Sequence, residues 1–191
     1  MGLRGLTILL AGALVVLAGL LAWGAWSLGP AAAPLAPGSP LPSFSLPGPG
    51  GGRLDSRDYA GRPWVLVWLP RPDGPASREE ARGFRDLAAA FEDAGLAVAG
   101  VAGARPSLLG RVRDEEGLPF PLGSDTGGFL AGELGARRRG LDLPRRLSFL
   151  VGADGRILRV YEVEDPAGHA ARVLADYRRE FSPAAPASQD S

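Results

Sequence analysis

Six consecutive large apolar residues, Trp64, Val65, Leu66, Val67, Trp68 and Leu69, stand between Pro63 and Pro70. The run is too short for a helix and has no polar side, so it must be a strand covered on both faces. A second run of this kind covers residues 96–101. Between the two, Ala81, Phe84, Leu87, Ala88 and Phe91 recur at helical spacing and predict one buried helix face. Strand, helix, strand is a crossover unit with parallel strands at the centre of a sheet. Around it the pattern predicts an opening hairpin from residues 44–46 and 53–54 across a Gly/Pro turn. It also predicts a helix over 107–116, a short helix over 128–134, and strands over 147–151 and 157–161 joined by Gly152-Ala153-Asp154-Gly155. A last helix uses Val173, Leu174, Tyr177 and Phe181. With the opening hairpin counted as one unit, the order β-β-α-β-α-α-β-β-α implies an α/β fold, a mixed sheet with helices on both faces.

The first part of the chain is of another kind. Residues 6–26 are uncharged, with Thr7 the one hydroxyl, and a helix of that length reaches roughly 31 Å, enough to cross a hydrocarbon core. Arg4 precedes the run and no further charge comes before Arg53, which places residues 1–5 in the cytoplasm and the remainder outside it. Trp23 and Trp26 suit the outer interface. The rival reading is a cleaved leader ending near Ala31-Ala32-Ala33; the length of the run and Pro34 favour a retained single-pass anchor. Both readings export the domain: cell membrane with the domain facing outside the cytoplasm, or secreted if cleaved. Pro30, Pro34, Pro37, Pro40 and Pro42 make residues 27–42 an extended spacer. The folded domain is expected over 43–181 and a disordered tail over 182–191.

Composition removes whole classes of chemistry. The 191 residues include no Cys and a single His, His169. Disulfides, thiolate metal sites, iron–sulfur clusters and Cys nucleophiles are excluded, as is a zinc site built on several His. Lys+Arg and Asp+Glu are both 21, and every basic residue is Arg. That balance argues against nucleic acid as a partner. Asp125-Thr126-Gly127 has the look of an aspartic protease tripeptide but lacks its apolar flanks and a second lobe, so a turn is expected there. Gly48 and Gly50-Gly51-Gly52 lack the Gly-Lys-Ser/Thr of a phosphate loop and read as a turn. Arg137-Arg138-Arg139 reads as a solvated loop, and His169, after Pro166-Ala167-Gly168, as a solvated or capping residue.

Four segments, in this order along the chain, resemble the peroxiredoxins of the bacterioferritin-comigratory type, within the alkyl hydroperoxide reductase / thiol-specific antioxidant group. They are Ser56-Arg57-Asp58-Tyr59-Ala60-Gly61-Arg62-Pro63; the loop and helix start over 70–86; Leu118-Pro119-Phe120-Pro121-Leu122 with Ser124-Asp125; and Arg146-Leu147-Ser148-Phe149-Leu150 with Asp154-Gly155-Arg156-Ile157. The resemblance covers residues 42–181 and implies a thioredoxin-like fold behind one transmembrane helix. It places Ser77 at the position of the peroxidatic cysteine, Arg82 at that of a common resolving cysteine, Gly74 at that of the active-site threonine, and Arg146 at that of the companion arginine. The chain is also similar to membrane-anchored thioredoxins of cytochrome maturation, whose Cys-x-x-Cys would fall on Gly74-Pro75-Ala76-Ser77. Those proteins carry a proline where this chain has Arg146, and the nearest here is Pro144. Anchor and motifs leave the two ancestries open.

Peroxide reduction needs a thiolate that becomes a sulfenic acid, and disulfide exchange needs sulfur on both sides. The resemblance therefore implies a scaffold whose own chemistry is missing: a binding or regulatory module, with no cofactor and no metal. Ser77, Arg146 and Ser148 are the expected lining of a ligand pocket, because a free helix start facing an arginine attracts carboxylate or phosphate. The plainer expectation for Ser77 is a first-turn helix residue, and for Arg146 a salt bridge. Expected partners are the membrane, through the anchor, and an envelope redox protein or a small anionic ligand. The alternative is an antioxidant oxidoreductase that works only with thiols supplied by a partner protein.

Overall fold

The computed structural model describes residues 14–19, 33–137 and 144–181. The chain divides into two units, residues 1–31 and 32–191. In the first, residues 14–19 are helical. Among the described residues no helix is long and apolar enough to cross a membrane. The expected span over 6–26 lies mostly outside those residues, and the N-terminus over 1–5 and the tail over 182–191 lie wholly outside them.

The second unit is built on a five-stranded mixed sheet. Its strands are β3 (Trp64–Trp68), β4 (Ala97–Ala102), β5 (Leu122–Ser124), β6 (Leu147–Val151) and β7 (Ile157–Glu162), in the order β5-β4-β3-β6-β7. β3 pairs parallel with β4 and antiparallel with β6; β5 runs parallel to β4, and β7 antiparallel to β6. The opening hairpin, β1 (Ser45–Pro47) and β2 (Arg53–Asp55), forms a separate two-stranded sheet. Helices α1 (Pro75–Asp86), α2 (Ala88–Asp93), α3 (Pro106–Glu116), α4 (Phe129–Glu133) and α5 (His169–Glu180) complete the order.

β3 explains why the apolar run has no polar side. Val65, Val67 and Leu69 enter one core, shared with Ala81 and Phe84 of α1, Leu109 and Val112 of α3, and Val173 and Tyr177 of α5. Trp64, Leu66 and Trp68 enter the other, with Leu54 of the hairpin, Leu130 of α4, and Leu147 and Phe149 of β6. Alternate side chains leave opposite faces, and both faces are covered. Burying such side chains contributes roughly 1.5–3 kcal/mol apiece. This is gross burial, most of which offsets chain entropy, and with no cysteine in the sequence the fold relies on such packing without a disulfide.

Three features differ from the sequence-based expectation. The long helix face is split: α1 stops at Asp86, Leu87 takes φ −102° and ψ 11°, and α2 follows, while Phe84 and Phe91 stay in contact with ring centroids 5.4 Å apart. β5 was not expected; it is three residues long, and its Gly123 lets the hairpin in so closely that a Cβ there would meet Leu54 Cδ2 at 2.9 Å. The spacer is shorter than 27–42 at its far end. Gly38 donates to Ile157 O at 2.7 Å, Ile157 donates to Ser39 O at 2.9 Å and Leu41 donates to Gly155 O at 2.9 Å. These bonds stitch residues 38–41 along the start of β7.

The turn residues take ordinary structural roles. Gly50 and Gly51 have φ of 66° and 80° in the hairpin turn. Asp125 is buried, and its Oδ2 accepts from the Ala131 amide at 2.8 Å, capping the first turn of α4. Of the Arg137–Arg139 triplet, only Arg137 falls within the described residues, where it is exposed.

Candidate functional site

Helix α1 starts where β3 leaves the sheet. Gly74 is its N-cap, with extended φ/ψ and no side-chain cap, and Pro75 opens the first turn. Ser77 lies in that turn facing inward and is 1% exposed, so the helix start at this serine is covered and not open to solvent. Its hydroxyl meets Arg146, which stands one residue before β6: Arg146 Nη1 donates to Ser77 Oγ at 3.2 Å. The structure thus brings together Ser77 and Arg146 across 69 residues of sequence.

The same nitrogen makes a shorter bond. Arg146 Nη1 donates to Glu80 Oε2 at 2.6 Å. Glu80 is one turn beyond Ser77 on the buried stripe of α1 and is fully buried. The carboxylate expected of an outside ligand is therefore supplied by the chain itself. Burial pushes the Glu80 carboxyl up to about 7, with the Arg146 bond and charge pulling the other way. The other carboxyl oxygen, Oε1, has no hydrogen-bond partner.

Facing that oxygen, at 3.9 Å, is Nε2 of His169, also without a partner. The expectation of a solvated or capping His is overturned: His169 is 3% exposed, its ring lying edge-on to Phe84 and Tyr161 at 5.6 and 5.4 Å. Burial brings its imidazole down to about 4, helped by the nearby Arg172 and Arg146 charges, so it is neutral at physiological pH. Ser, His and acid converge here, yet they form no hydrolytic triad. The acid is bonded to Arg146, and His169 Nε2 holds no serine proton. Ser148, the third expected pocket residue, is fully buried on β6 with its Oγ unpartnered.

The outer side of α1 carries a second cluster. Arg78, Arg82 and Arg85 all reach the C-terminal end of α3. Arg78 Nη1 donates to Glu116 Oε1 at 2.6 Å and Arg82 Nε to Glu116 Oε2 at 2.5 Å. Arg85 Nη1 donates to the Glu116 carbonyl at 2.6 Å, one of the orphan acceptors of a helix end. Arg82 and Arg78 bring the Glu116 carboxyl down to about 2. Arg82, at the position the resemblance gives to a resolving cysteine, is thus an ion-pair residue.

Sequence reasoning missed Glu80, His169 and Glu116 as members of these clusters. A signal existed for two of them. Ser77, Ala81 and Phe84 define a stripe that includes position 80, and His169 lies four and eight residues before Val173 and Tyr177.

A parallel crossover flanked by an antiparallel hairpin, with helices on both faces, defines a thioredoxin-like α/β scaffold. The AhpC/TSA family model matches residues 37–160. A putative peroxiredoxin of Mycobacterium tuberculosis is 32% identical over 148 residues, spanning 74% of this chain and 94% of the relative. Peroxiredoxin Bcp of Escherichia coli K12 is 31% identical over 147 residues, again 74% and 94%. Among solved structures, the crystal structure of peroxidoxin BcpB from Mycobacterium tuberculosis superposes with a TM-score of 0.71 at 27% identity, covering 78% of this chain and 99% of that one. A cysteine-to-serine mutant of PrxQ from Xylella fastidiosa gives 0.72 at 24% identity, over 78% and 98%, a likeness of fold. The chain belongs to the AhpC/TSA family, with peroxiredoxins of the Bcp and PrxQ kind among its relatives. The family implies peroxide reduction or thiol redox chemistry, and this chain brings no cysteine to it.

Proposed function

We propose that this chain is a membrane-anchored, extracytoplasmic member of the AhpC/TSA family that no longer turns over peroxide and acts as a binding or regulatory module. The observation that carries this reading is that Ser77 keeps company with Arg146 at the helix start, so the electrostatic surroundings remain while the sulfur is gone. A serine hydroxyl has no reversible oxidation ladder, and an alkoxide is far harder to form than a thiolate. What such a site can still do is hold a small anion or dock an envelope redox protein. The anchor over residues 6–26 would keep the domain at the outer face of the membrane.

The full chain, purified in detergent, tests this with hydrogen peroxide and dithiothreitol. Peroxide loss equal to the blank is expected, and turnover above it overturns the reading. Loss that appears only with an added envelope thioredoxin supports instead an oxidoreductase using partner thiols. Ser77→Cys sharpens the result. A new thiol titrating clearly below ~8.5, the unperturbed value, and consuming peroxide shows that one atom separates this site from activity.

A further inference from the structure

Resting on the anion-binding reading above, we infer that the Arg146 site takes up a small monovalent carboxylate together with one proton, the proton going to Glu80. The geometry sets up the exchange. One nitrogen, Arg146 Nη1, serves both Glu80 Oε2 at 2.6 Å and Ser77 Oγ at 3.2 Å. Arg146 is the one of these three that solvent reaches, its side chain 17% exposed against 0% for Glu80. An incoming anion therefore meets a guanidinium that an internal carboxylate already neutralises. Two carboxylates sharing one half-buried guanidinium repel each other. Neutralising Glu80 removes that repulsion and frees the guanidinium. The ligand class follows from the resident partner: what Arg146 holds now is a carboxylate, and the planar fork suits another.

The proton has a place to go. Glu80 Oε1 is buried without a partner, 3.9 Å from Nε2 of His169, which has none either. With the imidazole proton on Nδ1, Nε2 accepts from a protonated Oε1 after a closure of under about 1 Å. The groups facing Glu80 do not compete for it. On its own helix stands Ser77; from β6 and the residue before it come Ser148 and Arg146; from β7, Tyr161, whose hydroxyl donates to Asp176 at 3.2 Å and is pushed up to about 12. From α5 comes His169, whose own charged neighbours are Arg172, Arg146 and Asp165. Burial, and then the charges of Arg172 and Arg146, hold the His169 imidazole neutral. Between pH 6 and 8 Glu80, raised by its burial, changes charge.

Formate, which stays ionised over this range, is the probe. The full chain in detergent is titrated at several pH values, following the Arg146 guanidinium resonance by NMR. The formate Kd is expected to be flat below pH 6.5 and to rise about tenfold per pH unit above 7. Calorimetry at pH 8 in two buffers of different ionisation enthalpy should register the uptake of close to one proton. Glu80→Gln should bind formate at pH 8 as tightly as the wild type does at pH 6, with no slope and no proton uptake. Formate bound equally well at pH 6 and 8 by the wild type, or a slope retained in Glu80→Gln, overturns the coupling and leaves the anion site standing. Formate bound by neither protein overturns the anion reading itself, and the coupling with it. Should Glu80→Gln fail to fold, the ligand-free wild type decides. The Glu80 carboxyl and Arg146 resonances must move with one shared midpoint near 7, and independent midpoints overturn the coupling.

Discussion

Glu80 and Glu116 are two carboxylates gripped by arginines on opposite sides of the same helix, and they titrate in opposite directions. Both receive a guanidinium hydrogen bond at 2.6 Å. Glu80 is pushed up to about 7 and Glu116 brought down to about 2. Contact distance therefore does not decide the charge. Glu80 has one arginine, one oxygen without a partner and no exposed surface. Glu116 has donors on both oxygens, and what covers it is a layer of arginine heads that are themselves solvated, Arg82 being 50% exposed. Dehydration is the stronger influence on the inner side, and the number of donors on the outer.

The sharpest way to break the comparison is to remove the inner cation. Arg146→Met leaves Glu80 buried without a counter-charge, which should cost about 3–5 kcal/mol at pH 8. Near pH 4 the carboxyl is largely protonated in folded and unfolded chains alike, and the loss should shrink to about 1–2 kcal/mol. Urea unfolding of the full chain at both pH values measures this, and adding Glu80→Gln should restore most of the difference. An equal loss at the two pH values would mean that packing, not the orphaned carboxylate, is what Arg146 protects.

A second effect is hidden in the wild type. Glu80, raised from 4.5 to about 7, contributes stability that is full below pH 4.5 and is lost as pH rises through 7. His169, lowered from 6.5 to about 4, contributes stability that is full above pH 6.5 and is lost as pH falls through 4. Each shift corresponds to roughly 3 kcal/mol, and between pH 4.5 and 6.5 the two slopes oppose. The wild type should be nearly flat there. Glu80→Gln should lose about 2–3 kcal/mol on going from pH 6.5 to 4.5, and His169→Gln should gain a similar amount. Thermal melts across that window check both, and parallel profiles would show that the pair does not titrate as the inner environment requires.

The unequal legibility of the molecule follows the same line. β3, β6, α3 and α5 were readable because a covered strand or an amphipathic helix writes its burial into residue type. β5 was not: three residues, one of them Gly123, carry no period. Ser77 and Arg146 came from likeness to a family, and the structure puts them in contact. Glu80 and His169 escaped because a charged or lone polar residue reads as solvated until its neighbours are known. Their burial is a property of α1 and α5 packed together on the sheet, 89 residues apart in the chain.

The smallest expected effect belongs to the outer cluster and tests its other half. Glu116, held below its usual range, contributes stability present above pH 4.5 and lost as pH falls toward 2. Its partners are solvated and screened, so Glu116→Gln at pH 7 should cost at most about 1 kcal/mol. Local opening of α1 is the finer measure. Hydrogen exchange at the amides of residues 79–84, whose acceptors lie in the turn that Arg78 and Arg82 tie to α3, should quicken by up to about fivefold. Half-molar sodium chloride should reproduce that quickening in the wild type, because it screens exposed ion pairs. It should leave the Glu80 titration midpoint in place, because Glu80 itself is fully buried and chloride lacks the paired oxygens that the Arg146 fork takes. Salt that moves the Glu80 midpoint as much as it loosens α1 would place both carboxylates in one environment, and the difference between the two sides of the helix would disappear.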